Sequence, residues 1–381
     1  MTLQVAKDAI DFIHKNILWK RANVDPTEKS SITFFGGEPV LMWDQIIVPL
    51  TLYIEETYPD MFNFSITTNG TLLNAEKIQF LKDHDIGVLL SIDGAEETQN
   101  FNRPCRDQSV NSFDLVVNNI PRLLQAFPYT TFRSTVYEPT CQYIFKNFLF
   151  AMATNFTNIF MMPDTRNTNW SAESFDIIKN EIHKIFMFTQ QWFEMDKMPP
   201  IILSDITNVY KEILDRDVHV IKQDPFTNDG TFSRDPQRCG LGTGMGSIGY
   251  NGNIYGCQEQ TSKETLSKFF IGNIYTGIDI EKHSELLREY SAPVKVQCQN
   301  PSMCDDCLQK NYCNSICPSA CWDVFQNFNT TNYMQCFWDK CCYAEAQAMM
   351  QTLVKANNQT FKAYLDDVCK YKYVFESEVE V

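Results

Sequence analysis

Eleven of the fourteen cysteines fall between Cys239 and Cys342, and thiols gathered in one region serve there as metal ligands or as disulfides. The run reads Cys239, Cys257, Cys298, then Cys304-x2-Cys307-x5-Cys313-x3-Cys317, then Cys321, Cys336, Cys341 and Cys342. Disulfides belong to oxidising compartments. The chain opens MTLQVAKDAIDFIHKNI, where Lys7 and Asp8 interrupt the apolar segment that an export signal requires. The expectation is therefore a cytoplasmic protein whose thiols stay reduced. Zinc is the next candidate, because Cys-x2-Cys is a zinc knuckle. Zinc ribbons, however, separate their paired cysteines by about 15–20 residues, whereas four thiols here lie between Cys304 and Cys317. That compaction, with outlying cysteines on both sides, suits iron–sulfur cubes, each of which takes four thiolates and can share a motif with a neighbour. His14, His84, His183, His219 and His283 show no metal-binding spacing. A formal net charge of −15 argues against nucleic acid or an anionic membrane as a partner, and no apolar stretch is long enough to span a bilayer.

The elements that must position these groups read as follows. Leu3, Ala6, Ile10, Ile13 and Ile17 share one helical face. The segments 30–35, 62–70, 87–94, 129–137 and 158–165 read as five short strands. Helices fall between them, over about 43–58, onward from a cap at Asn74, over about 109–126 and over about 141–153. Strands alternating with helices at this rhythm mean parallel βα units. Residues 171–222 read as helical. Seven of the fifteen glycines lie between Gly240 and Gly256, and Asn251-Gly252 is suited to a tight hairpin turn, which sets Cys257 at the end of a hairpin. A last helix is expected over about 340–357, before the acidic tail FESEVEV.

In a parallel barrel, ligands sit at the carboxyl ends of the strands. The residues at those ends are Gly36-Gly37-Glu38-Pro39, Thr67-Thr68-Asn69-Gly70, Ser91 with Asp93 and Gly94, and Arg133 with Thr135. Over residues 1 to about 165 this set resembles the radical S-adenosylmethionine (radical SAM) enzymes. The resemblance implies that the Gly-Gly-Glu-Pro loop meets the amino group of the cofactor's methionine moiety. It also implies that Thr68, Asn69, Ser91, Asp93 and Arg133 approach its carboxylate and ribose. The cysteine pattern resembles the SPASM extension of the same enzymes, of the peptide- and sulfatase-maturase type. Its signature, Cys-x(9–15)-Gly-x4-Cys, a gap, Cys-x2-Cys-x5-Cys-x3-Cys, a gap, Cys, is met by Cys239, Gly252, Cys257, Cys304, Cys307, Cys313, Cys317 and Cys336. The resemblance assigns Cys304, Cys307, Cys313 and Cys336 to one auxiliary 4Fe–4S cluster. It assigns Cys239, Cys257 and Cys317 to another, whose fourth position is either open to a substrate thiolate or closed by Cys298 or Cys321.

The implied fold is α/β: a partial (β/α)6 TIM-like barrel, its first strand and cluster loop missing, followed by a cysteine-rich SPASM domain with a β-hairpin and helices. The expected divisions are residues 1–165 for the barrel, 166–235 for a helical bridge, 236–345 for the SPASM domain and 346–381 for the final helix and tail. One departure stands out. The family's catalytic Cys-x3-Cys-x2-Cys is absent, and no cysteine precedes Cys105. The expectation is a fragment lacking that segment rather than a degenerate member, with S-adenosylmethionine and the catalytic cluster bound only where the segment is present.

The implied activity is radical modification of a peptide or protein by a 5′-deoxyadenosyl radical, giving a thioether or carbon–carbon cross-link or an oxidised side chain. A cysteine-containing precursor would be the substrate, and ferredoxin or flavodoxin the electron donor. The alternative is a non-catalytic iron–sulfur electron carrier or peptide-binding protein. Individual residues admit plainer roles. Asn69 can serve its turn or a ligand. Asp93 can cap the next segment. Arg133 can meet a cofactor carboxylate or a structural acid. Glu259 stands two residues past Cys257, where sulfatase-maturing relatives place a general base immediately adjacent to the cysteine; here Gln258 holds that place.

Overall fold

Five strands lie side by side in chain order, all parallel: β1 (Ser30–Phe34), β2 (Phe62–Thr68), β3 (Ile86–Ser91), β4 (Thr131–Val136) and β5 (Asn158–Pro163). The computed structural model describes residues 1–23, 26–201, 203, 205–206, 239–261, 267–291, 297–298, 317–328 and 330–367. The strands alternate in character, which settles which face each side chain takes. In β4, Phe132, Ser134 and Val136 are buried, while Thr131, Arg133 and Thr135 occupy the other face. Helix α1 (Leu3–Asn23) precedes the strands, α2 (Val48–Thr57), α3 (Ala75–Asp83), α4 (Glu96–Asn102), α5 (Ser112–Val117), α6 (Ile120–Ala126) and α7 (Ile144–Ala153) run between them, and α8 (Ala172–Glu194) follows. Ile66, Ile86, Leu90 and Phe132 of the sheet pack with Ile54, Ile78, Leu123 and Ala151 of these helices in one core. Each buried aliphatic side chain contributes about 1.5–3 kcal/mol. A sequential parallel sheet wound by helices is a barrel segment, as the sequence led us to expect.

Local chemistry accounts for the helix ends. Asn74 caps α3, its side chain accepting from the Lys77 amide at 2.9 Å. The single helix expected over about 109–126 is two, α5 and α6; Pro121, with no N–H to donate, sits in the first turn of α6, where none is needed. A π-helical turn, Trp43–Ile47, precedes α2, whose first turn holds Pro49.

The second half builds a smaller, antiparallel sheet from β6 (Ser247–Ile248), β7 (Asn253–Tyr255), β8 (Phe270–Asn273) and β9 (Gly277–Ile278). Its first turn is the expected hairpin. Gly252 has φ +82°, and a Cβ there would stand 2.9 Å from the Ile274 side chain. Then come α9 (Ile280–Ser291), the short parallel ladder of β10 (Gln297–Cys298) with β11 (Thr330–Thr331), α10 (Pro318–Phe325) and α11 (Tyr333–Lys355). The last helix thus starts at Tyr333 rather than near 340, because Asn332 caps it by accepting from the Met334 amide at 2.7 Å. Cys336, Cys341 and Cys342 are consequently helical, and residue 345, expected as a domain limit, lies inside α11. Helix α11 packs on α8 and β5. Of the expected helical stretch 171–222, α8 is observed and residues 207–222 lie outside the described residues, as does the acidic tail.

Helix α1 has two apolar faces. Ala6, Ile10 and Ile17 enter the barrel core, while Ala9, with Val5 and Phe12, packs among Leu241, Ile254, Phe269, Leu286 and Phe328 of the second half. Tyr275 Oη donates to Asp8 Oδ2 at 2.8 Å on the same side. Among the described residues no helix is long and apolar enough to cross a membrane.

Candidate cofactor and cluster site

The chain leaves β1 through Gly36 and Gly37, where an added Cβ would meet nothing within 4 Å, so a ligand can approach the backbone directly. Glu38 follows, and its carboxylate is caged. Oε1 accepts from the Val40 amide at 3.1 Å and from Thr68 Oγ1 at 2.8 Å, and Oε2 accepts from the Asn69 amide at 2.8 Å. Pro39 begins the 3-10 turn Pro39–Met42 that delivers Val40. A carboxylate offers about four lone-pair sites, so the donors already in place leave room for an ammonium group. Thr68 is buried, and its Oγ1 also accepts from the Gly70 amide at 3.0 Å. Asn69 serves its turn: Oδ1 accepts from Thr71 N at 3.0 Å and from Thr71 Oγ1 at 2.7 Å. Glu38→Gln would set an amide nitrogen against one of these donors. It is expected to lower stability by about 1–2 kcal/mol in thermal unfolding; an unchanged midpoint would show that the cage does not form.

Beyond β3, Asp93 is fully buried, at 0 % exposure. Its Oδ1 accepts from the Thr135 amide at 3.0 Å and from Arg103 Nη2 at 3.1 Å. Oδ2 lies 2.9 Å from Arg103 Nε, a close charge contact that is poorly aligned as a hydrogen bond. Its backbone is held too, since Ser134 Oγ donates to its carbonyl at 2.9 Å and its amide donates to Gln99 Oε1 at 2.9 Å. Asp93 therefore fixes the seam between β3 and β4. Ser91 stands opposite Arg133 in the register of that seam. Arg133 Nη1 donates to the Ser134 carbonyl at 2.7 Å, Nη2 lies 2.6 Å from Met162 Sδ, and the guanidinium rests 4.7 Å from the centre of the Phe160 ring. Burial pulls the Arg133 pKa down, and Asp93 opposes this. With Asp93 committed to Arg103, the cation at Arg133 has no carboxylate within ion-pair distance among the described residues. A ligand carboxylate fits that position.

Cys239, Cys257 and Cys317 are free thiols near one another, contributed by the loop before β6, the end of the β7 hairpin and the N-cap of α10. Cys239 Sγ lies 3.6 Å from Tyr290 Oη. Burial pushes the Cys257 thiol up to about 11, against hydrogen bonds from the Glu259 amide and from Ser319 Oγ, and the neighbouring Cys317 adds to the rise. Burial also raises Cys317, opposed by donors from the Ala320 and Ser319 amides of the first turn of α10, while Cys239 raises it further. Cys317 is exposed as a residue, yet its sulfur is ringed by protein mass, so desolvation still governs it. Such thiols become ligands only when a cation takes the place of their protons. Among the described residues no three His, Cys, Asp or Glu side chains are grouped tightly enough for a single ion. Cys321 is buried one turn beyond Cys317. Cys336 is buried in the first turn of α11, while Cys304, Cys307 and Cys313 lie outside the described residues, as does the side chain of Cys298.

Arg166, in the turn after β5, joins the barrel to the thiols. Its Nε donates to Asp323 Oδ2 at 3.1 Å, and its Nη2 lies 3.4 Å from both Glu259 Oε2 and Ser319 Oγ. Glu259 is 42 % exposed, pairs with Arg166 and also contributes to the field at Arg133. Sequence reasoning missed Arg103, Arg166, Gln260, Ser319 and Asp323. Arg166 carried a usable signal, because Asp164-Thr165-Arg166 directly follows a barrel strand; the others announce themselves only by their contacts.

Parallel strands whose carboxyl ends present a caged carboxylate and a half-buried arginine form an α/β barrel segment with polar groups at its ligand-binding end. The chain carries a domain of the Radical SAM superfamily, whose family model matches residues 18–139. It is 24% identical to the radical SAM cyclopropyl synthase TigE of Paramaledivibacter caminithermalis over 187 residues, which are 49% of this chain and 38% of that protein. It is 26% identical to the cysteine-type anaerobic sulfatase-maturating enzyme of Clostridium novyi over 157 residues, 41% of this chain and 42% of the relative. The matches thus span about two fifths of these curated relatives. The solved structure of native anSMEcpe with bound AdoMet and Kp18Cys peptide shares the fold, with a TM-score of 0.56 at 19% identity over 85% of both chains.

Proposed function

We propose that these 381 residues are the radical SAM and SPASM portions of a peptide or protein maturase. The observation that supports this reading is the Arg166–Glu259 contact, which joins the turn after β5 to the segment that follows Cys257. In this assignment Gly36, Gly37, Glu38 and Pro39 receive the ammonium end of S-adenosylmethionine, Thr68 and Asn69 hold that loop in place, and Ser91 and Arg133 face its carboxylate, with Asp93 setting their spacing. Cys239, Cys257 and Cys317 hold one auxiliary cluster, and Cys304, Cys307, Cys313 and Cys336 a second. Bound cofactor and cluster together supply hydrogen abstraction. Glu259 would serve as the acid–base group. A peptide substrate accords with the peptide bound to the solved neighbour and with the maturating relative. Ferredoxin or flavodoxin would supply electrons.

The test is cofactor cleavage under anaerobic reduction. No 5′-deoxyadenosine above background is expected from residues 1–381, which contain no Cys-x3-Cys-x2-Cys. A form carrying such a loop ahead of α1 is expected to produce it. Robust cleavage by the 381 residues alone would relocate the catalytic cluster. Cleavage by neither form would favour the electron-carrier reading.

A further inference from the structure

We propose that Arg166, aimed by Asn332, is a positioning residue that clamps the turn Gln258–Gln260 and helix α10 to the carboxyl end of β5. The clamp stands on contacts alone; its bearing on Glu259, which it holds at that end of the barrel, rests on the reading above.

The aiming comes from one buried side chain. Asn332 is 4 % exposed. Its Oδ1 accepts from Met334 N at 2.7 Å, and its Nδ2 donates to two carbonyls, Thr165 O at 3.1 Å and Asn167 O at 2.6 Å. A carbonyl can only accept, so the nitrogen must lie on the loop side. Those two carbonyls flank Arg166. The Arg166 amide donates to Asp164 Oδ1 at 3.0 Å, and the Asp164 amide donates to the carbonyl of Val136, the last residue of β4, at 2.9 Å. The backbone is thus held on both sides of Arg166, and its long side chain starts from a fixed point.

The receiving end is built without Arg166. Gln260 and Ser319 are both fully buried, at 0 % exposure. Gln260 Nε2 donates to Asp323 Oδ1 at 3.0 Å and to Ser319 Oγ at 2.7 Å. Both N–H groups are then used, and Gln260 Oε1 is left buried without a hydrogen-bond partner, which a residue that only filled space would avoid. With one oxygen of Asp323 held in this way, the other serves the barrel: Oδ2 accepts from Arg166 Nε at 3.1 Å. Ser319 Oγ and Glu259 Oε2 each lie 3.4 Å from Arg166 Nη2. Three acceptors of the second half converge on one guanidinium of the barrel, and charge-assisted bonds of this kind are the stronger ones. Helix α1 is packed into both halves, so loss of the clamp loosens this border locally and does not part the halves.

The experiment is hydrogen–deuterium exchange on the anaerobically reconstituted chain, read at the amides of Gln260, Thr261 and Cys321, which bond within that turn and α10. Arg166→Ala is expected to speed their exchange about tenfold, as for the loss of a hydrogen bond to a charged group, with β2 and β3 unchanged. Asn332→Asp keeps an acceptor for the Met334 amide and so keeps the cap of α11, but has no N–H for the two carbonyls. It is expected to speed the same amides about fivefold and to leave α11 exchanging as in wild type. The double variant is expected to exchange no faster than Arg166→Ala, because both residues act through one contact. Effects that add in full, as they would if Asn332 served stability alone, overturn the proposal, and so does wild-type exchange in Asn332→Asp. Where Asn332→Asp fails to fold, Arg166→Ala decides, since Arg166 is 43 % exposed: faster exchange upholds the clamp and unchanged exchange overturns it. A wild-type chain that takes up no iron overturns the cluster assignment and not the clamp, which the same variants then test on the chain as isolated.

Discussion

Cys317→Ala is expected to lose about half of the iron that the wild-type chain takes up on anaerobic reconstitution, one cluster of two. The argument is one of ligand supply. Cys239, Cys257 and Cys317 converge from three separate elements, and Cys317 sits where the first amides of α10 favour an anion on its sulfur. Two remaining thiols cannot hold a cube, whereas Cys304, Cys307, Cys313 and Cys336 are untouched by the substitution. Cys141→Ala, at a buried cysteine of the barrel core, serves as the control and is expected to keep its full iron. Complete loss of iron from Cys317→Ala would mean that the two sites assemble only together. Full retention would mean that Cys321, one turn further along α10, has taken its place. Zinc at stoichiometric amounts without sulfide would remove the iron–sulfur reading altogether.

Asp93→Ala is expected to destabilise the fold by about 2–4 kcal/mol. The substitution removes the acceptor for the Thr135 amide and the partner of Arg103 in one step. Arg103 is partly exposed and can turn toward water, which keeps the cost below that of a fully buried pair. In a domain of this size each kcal/mol moves the unfolding midpoint by about 2–4 °C, so the change is easily read by calorimetry. Removing both charges, as Asp93→Ala with Arg103→Met, is expected to recover part of the loss. A single variant that melts with wild type would show that the Asp93–Arg103 pair carries no stability.

The barrel was legible because its strands are short apolar runs closed by turn residues, and a parallel sheet buried on one face leaves that trace in the sequence. The candidate ligands at the strand ends were legible for the same reason: Glu38, Thr68 and Arg133 follow from knowing where strands stop. What lay beyond reach were pairings across the fold. Arg166 and Glu259 are 93 residues apart, and nothing local predicts that they meet. The second face of α1 was hidden because Val5, Ala9 and Phe12 interleave with the first stripe, and only the packed second half shows them to be a separate surface. The last helix, expected only over about 340–357, begins earlier because the side chain of Asn332 caps it ahead of Tyr333.

Helix α1 belongs to two cores at once, and this makes it a ruler. Where two halves of a protein meet through a flexible joint, the distance between their reactive groups is a distribution, and each productive encounter waits on a fluctuation. Here one rigid rod is wedged into both halves, with opposite sides of the same few turns immobilised by different neighbours. Movement of one half against the other must therefore strip one face of α1 of its packing, and the apolar burial lost opposes it.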